Sequence, residues 1–67
     1  MKLCLMSEQI IKETDEQGFI NATYNGFVST WKELETFFEI KEHPATKLKS
    51  YCLTYDGRKV KDYLENN

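Results

Sequence analysis

The residues Ser29 to Ile40 constrain this chain more than any other stretch. Trp31, Leu34 and Phe38 recur at i, i+3 and i+7 with Phe37 beside them, while Lys32, Glu33, Glu35 and Glu39 fall elsewhere. That spacing predicts a helix with one apolar stripe. Thr30 and Glu33 read as a capping box, in which the hydroxyl takes an orphan amide and the carboxylate reaches back. One short helix cannot bury three large aromatic rings by itself, so other segments must pack onto this stripe.

Those segments are read as follows. Lys2 to Met6 is a short apolar run taken as a strand, and Asp15-Glu16-Gln17-Gly18 is a turn in which Gly18 is free to take positive φ. Phe19 to Tyr24 is a second strand candidate. Asn25-Gly26 is the strongest hairpin signal, because a type I′ turn needs φ > 0 at both central residues. Phe27-Val28 would return into the Ser29–Ile40 helix. Beyond Ile40, Pro44 suits a first helical position. Ala45, Leu48, Tyr51 and Cys52 then recur at helical spacing, so residues 44–52 are expected to form a second helix. Leu53 to Tyr55 could be a strand returning through an Asp56-Gly57 turn. Val60, Tyr63 and Leu64 instead lie at helical spacing, which favours a last short helix from about Lys59. The expected fold is α+β, a single domain over residues 1–67. Residues 1–28 form a short N-terminal antiparallel sheet, and residues 29–64 form two or three helices arranged like a helix-turn-helix. Trp31, Leu34, Phe38, Leu48 and Tyr51 are the expected core.

Composition narrows the classes. A 67-residue chain buries a limited core, so dimerisation or a partner would help it. At 40% hydrophobic and 13% aromatic it has ample material for a folded domain. Apolar runs are a few residues long, so neither a membrane span nor a signal peptide is expected, and the chain is read as cytoplasmic. Cys4 and Cys52 lack CxxC spacing and His43 is the single histidine, so no metal site or cofactor is expected and the thiols are read as free and buried. The sequon at Asn21-Ala22-Thr23 is treated as chance. Nothing resembles a phosphate loop, a dinucleotide turn, a zinc-protease helix or a nucleophile elbow, and Cys52 and His43 would stand at opposite ends of the second helix. An enzyme is not expected.

Charge supplies the remaining signal. Residues 1–40 carry three Lys against seven Asp or Glu, residues 41–61 carry six Lys or Arg against Glu42 and Asp56, and Asp62 and Glu65 follow. A basic block inside an acidic chain points to an anionic partner, or to lysines that pair with the acidic half. Helix, short connection and helix is the outline in which a second helix enters the major groove of DNA. Thr46, Lys47, Lys49 and Ser50 are the polar positions left on that helix once its apolar stripe turns inward. They suit phosphates and base edges. Lys41, Arg58, Lys59 and Lys61 flank them as phosphate contacts.

From Tyr24 to Leu64 the chain resembles small helix-turn-helix domains of bacteriophage and homing-endonuclease-associated proteins. The resemblance rests on Tyr24-Asn25-Gly26, Ser29 to Leu34, Ile40, Thr46-Lys47-Leu48, Gly57 and Tyr63-Leu64. It implies a DNA-binding regulatory module of phage or mobile-element type, dimeric on duplex DNA. The overall pI of about 5.3 favours the alternative, a small protein-interaction module or inhibitor of a host protein acting through its acidic first half.

Overall fold

The computed structural model describes residues 3–21 and 30–66. Ser7, Ile10, Ile11 and Thr14 fall at i, i+3, i+4 and i+7, and all four are buried. They define the inner face of α1 (Leu5–Lys12) and of the turn that leaves it, with Glu8 in the first turn of the helix and Lys12 in its last. The N-terminal run read as a strand is thus the start of a helix. So short a run carries no period of its own, and the helical period of the residues that follow decides the matter.

The long helix expected over Ser29–Ile40 is only one turn, α2 (Trp31–Leu34), and by Phe38 the chain is already extended. Thr30 makes no side-chain cap on α2. The expected capping box is replaced by a longer reach: Glu33 Oε1 accepts from the Cys4 amide at 3.0 Å and Oε2 from the Ser7 hydroxyl at 2.8 Å. The carboxylate therefore caps α1, the helix next to it in space, where the exposed amides and the helix dipole favour an anion.

The second helix expected over residues 44–52 does not form. β1 (Phe38–Glu42) pairs antiparallel with β2 (Lys49–Leu53), in register Phe38 to Leu53, Ile40 to Tyr51 and Glu42 to Lys49. The loop between them closes on the His43 amide, which donates to Leu48 O at 2.8 Å. On its other side β2 takes the start of the Phe19 segment, through Leu53 N–H to Gly18 O and Ile20 N–H to Tyr51 O. A strand held between two neighbours has its faces covered independently. Tyr51 turns to Trp31, ring centroids 4.9 Å apart, and Cys52 turns the other way to the Gln17 carbonyl. Two adjacent inward residues fit this arrangement as well as they fit a helix, hence the misleading period.

The hairpin therefore lies in the middle of the chain, between α1 and α3 (Tyr55–Glu65), and not at the N-terminus. The class remains α+β, but no helix-turn-helix arrangement occurs among the described residues. The Asn25-Gly26 turn and the Phe27-Val28 return strand lie outside the described residues. Phe19 makes a single bridge to Cys52.

The last helix starts four residues before Lys59. Thr54 caps it, its hydroxyl accepting from the Gly57 amide at 3.2 Å, and Asp56 sits in the first turn. Asp56-Gly57, which reads as a turn, is inside that turn of helix. Gly57 is there because α3 presses on the hairpin: a Cβ at this position would lie 2.3 Å from the Phe37 carbonyl oxygen. The core is Ile10, Ile11, Leu34, Phe37, Phe38 and Leu53, with Trp31, Tyr51, Val60 and Leu64 packed against it half-buried. Each buried side chain of this size contributes roughly 1.5–3 kcal/mol by leaving water. Leu48, expected in the core, is 69% exposed at the end of the hairpin loop. Both thiols are free, but only Cys52 is buried; Cys4 is exposed.

Candidate functional site

Two surfaces carry the residues that matter: the hairpin with its loop, and the groove between α1 and α3. A polar turn, Thr14 to Phe19, joins them. Asp15 organises it. One carboxylate oxygen accepts from the Gln17 and Phe19 amides at 2.9 and 2.8 Å, and the other meets His43 Nε2 at 3.0 Å. Because the Ala45 amide donates to His43 Nδ1, that nitrogen is bare and Nε2 carries the hydrogen toward Asp15. The His43 ring also lies against Phe19, centroids 4.4 Å apart. Burial, the largest influence on Asp15, raises its pKa, but the hydrogen bonds from Phe19, His43 and Gln17 together outweigh it and leave the pKa lowered. Glu33 is likewise lowered, by its hydrogen bonds from the side chains of Cys4 and Ser7 and from the Cys4 amide.

The same turn consumes two of the cations proposed for DNA. Arg58 Nη2 donates to Gln17 O at 2.7 Å. Lys61 Nζ donates to Thr14 O at 3.1 Å and Asp15 O at 3.3 Å. Gly18, at φ 91°, leaves room for that guanidinium, since a Cβ there would lie 3.1 Å from it. Arg58 and Lys61 are thus fasteners between α3 and the turn. Lys59 lies on the other flank of α3, its ammonium 4.9 Å from the Tyr55 ring centroid.

The five remaining candidates gather on the hairpin. Lys41 and Ser50 are cross-strand partners and share one face; Lys49 faces Glu42 on the other. Thr46 and Lys47 lie in the loop, where the Thr46 hydroxyl accepts from the Leu48 amide. Lys47 has φ 63°, a left-handed conformation that residues with a side chain seldom take. Among the described residues, the ammonium groups of Lys41, Lys47 and Lys49 make no hydrogen bond or ion pair. The recognition helix that was to present Thr46, Lys47, Lys49 and Ser50 together is replaced by a loop and a strand that spread them over two faces.

The groove between α1 and α3 was not foreseen. It encloses about 430 Å³ and is lined by Leu3, Val60, Tyr63 and Leu64, with Glu8 on the α1 rim and Lys59 on the α3 rim. Of its lining residues Tyr63 is 67% exposed; Leu5, 84% exposed on the first turn of α1, is not among them. The spacing of Val60, Tyr63 and Leu64 signalled an apolar face on α3. What hid the groove was the reading of residues 2–6 as a strand. Among the described residues no three His, Cys, Asp or Glu side chains are grouped to hold a metal ion, and no helix is long and apolar enough to cross a membrane. No protein-family model matches the chain, and neither a curated protein nor a solved structure is significantly similar to it.

Proposed function

We propose that this chain is a protein-interaction module that works through the α1–α3 groove. The observation that carries the reading is a concave, mainly apolar surface lined by Leu3, Val60, Tyr63 and Leu64, with Tyr63 67% exposed to water. Concave apolar surfaces with a few polar groups at the rim are where partners and ligands bind. Apolar side chains left exposed beside such a hollow are usual at sites that another polypeptide covers. Glu8 and Lys59 would orient that partner while the floor supplies the affinity. The rim carboxylate on α1 also keeps the acidic first half in the contact.

Three unengaged lysines on the hairpin favour a second reading, in which the loop meets the backbone of a nucleic acid. A two-stranded ribbon can enter a major groove. Lys47 occupies a backbone conformation that glycine would take at lower cost, and strain of this kind gathers at functional positions. Glu39 and Glu42 on the same hairpin oppose the approach of phosphates, which ranks this reading second.

One experiment separates them. Immobilised parent protein, a groove variant (Glu8→Lys with Tyr63→Glu) and a hairpin variant (Lys47→Glu with Lys49→Glu) are exposed to the same extract, with and without nuclease. The interaction reading requires a polypeptide that is retained by parent and hairpin variant, lost with the groove variant, and indifferent to nuclease. Material lost with the hairpin variant and with nuclease would transfer the function to nucleic acid. Anisotropy on random duplex DNA should then fall steeply with salt, as counterion release demands.

A further inference from the structure

We propose that a hollow on the Cys52 side of the hairpin is a binding site for a small organic anion, a compact apolar body that carries a carboxylate or a phosphate. The site is separate from the α1–α3 groove and does not depend on it. The hollow encloses about 410 Å³. Ligand pockets run from about 300 to 1,000 Å³, so this one suits a body of about one ring. Segments distant in sequence build it: Gln17 and Phe19 from the polar turn, Lys41 from β1, Pro44 from the loop, Cys52 from β2 and Arg58 from α3.

The apolar part of the ligand follows from the floor. Phe19 is bridged to Cys52, and the two are 5% and 1% exposed. Pro44 stands exposed at the edge. The charge follows from a surplus of donors. The Gln17 carbonyl is already taken, by Arg58 Nη2 at 2.7 Å and the Cys52 thiol at 3.4 Å. Arg58 Nη2 also lies 4.0 Å from Cys52 Sγ, while Nε and Nη1 have no partner among the described residues. The carbonyl is neutral, so it fixes the guanidinium without balancing its positive field. Gly18, at φ 91°, completes the seat, since a Cβ there would meet Nη2 and Nη1 at 3.1 and 3.4 Å. A planar fork held in this way is ordered before a carboxylate or phosphate arrives. The Lys41 ammonium, with no hydrogen bond or ion pair among the described residues, supplies a second positive charge that can close on the anion. Glu42 also borders the hollow, but alternation along β1 turns it to the face of Lys49. Glu39 shares the face of Lys41 and is not a lining residue. A fastened cation and a loose one thus meet at one place. The first shapes the site and the second holds what enters.

Titration of the intact, isotope-labelled chain at low salt, followed by amide chemical shifts, tests the site. Benzoate and phenyl phosphate should saturate at millimolar concentration and move the Gln17, Phe19, Lys41 and Cys52 amides. The tighter of the two tells whether the anion is a carboxylate or a phosphate. Benzamide, which has the ring without the charge, should bind at least roughly tenfold more weakly, and so should inorganic phosphate, which has the charge without the ring. Lys41→Met keeps the aliphatic stem and should weaken the tighter probe by roughly tenfold, with an unchanged circular dichroism spectrum. Lys49→Met makes the same change in net charge on the other face and should leave the affinity as it was. Benzamide as tight as benzoate, or inorganic phosphate as tight as phenyl phosphate, overturns the proposal. So does a loss with Lys49→Met equal to that with Lys41→Met, or a spectrum that no probe moves. Shifts confined to Val60, Tyr63 and Leu64 place the ring in the α1–α3 groove and overturn this site while leaving that one.

Discussion

The basic block of this chain is fastened at one end and loose at the other. On α3, Arg58 and Lys61 spend their charges on the backbone carbonyls of Thr14, Asp15 and Gln17, more than 40 residues away in sequence. On the hairpin, Lys41, Lys47 and Lys49 make no such contact among the described residues, and the loop is tied to that turn by the pair of His43 and Asp15. Two stretches that look alike in a charge count therefore differ in what their charges are for. A cation that satisfies an acceptor inside the fold is a structural part. A cation left in water is available to something outside.

Five changes would break or sharpen that contrast. Phe38→Ala removes a ring, 5% exposed, at the base of the hairpin where the two regions meet. It should cost roughly 3–5 kcal/mol and unfold both together, read as one urea transition at reduced midpoint or no transition at all. Gly57→Ala forces a methyl group onto the Phe37 carbonyl and should cost about 3 kcal/mol, the upper end for overpacking, with α3 and the hairpin losing protection from hydrogen exchange in step. Lys61→Met keeps the aliphatic stem and deletes the donor. It should cost roughly 1 kcal/mol, whereas Lys49→Met should stay within about 0.5 kcal/mol of the parent. Equal costs for those two would erase the distinction between fastened and loose cations. Lys47→Gly should instead stabilise, by somewhat less than about 1 kcal/mol. Glycine accepts the left-handed conformation, but its freer unfolded chain offsets part of the gain.

The smallest effect is one of pH. The Asp15 pKa is lower folded than unfolded, so its contribution is complete above the ordinary aspartate value of 3.8 and is lost as pH falls through the lower folded value. Asp15→Asn keeps an acceptor for the Gln17 and Phe19 amides but removes the negative charge facing His43. The expected result is faster exchange of the Ala45 and Leu48 amides, no change along α3, and a flatter acid limb in the stability profile.

The sequence reads well where structure is local and poorly where it is not. Val60 and Leu64 announced α3, and Gly18 announced its turn, because a helical face and a positive φ are properties of a few neighbouring residues. The start of α3 was misplaced because Asp56-Gly57 resembles a turn; the deciding residue is Thr54, whose cap is visible only once the helix is drawn back to it. Residues 44–52 failed for a different reason. Tyr51 and Cys52 are both inward, which suits a helix flank, but they are inward on opposite faces of a strand wedged between β1 and the Gly18–Ile20 segment. That wedge is made by residues distant in sequence, as far as the 35 positions between Cys52 and Gln17. Of the candidate surfaces, the loose lysines were legible as a cluster, although their presentation was not. The groove was legible only in its α3 wall, because its other wall depends on Glu33 capping residues 5–12 as a helix.

That carboxylate also sets an order in time. An eight-residue helix has too few hydrogen bonds to persist alone. The acceptor that completes the start of α1 arrives from a residue 29 positions further along the chain. During synthesis or refolding, the first helix in the sequence must wait for a partner made later, and the loop between them has to close before the cap has any effect. The N-terminal helix should therefore be among the last elements to lock and the first to release, so that exposure of the groove floor comes early in any excursion from the native state.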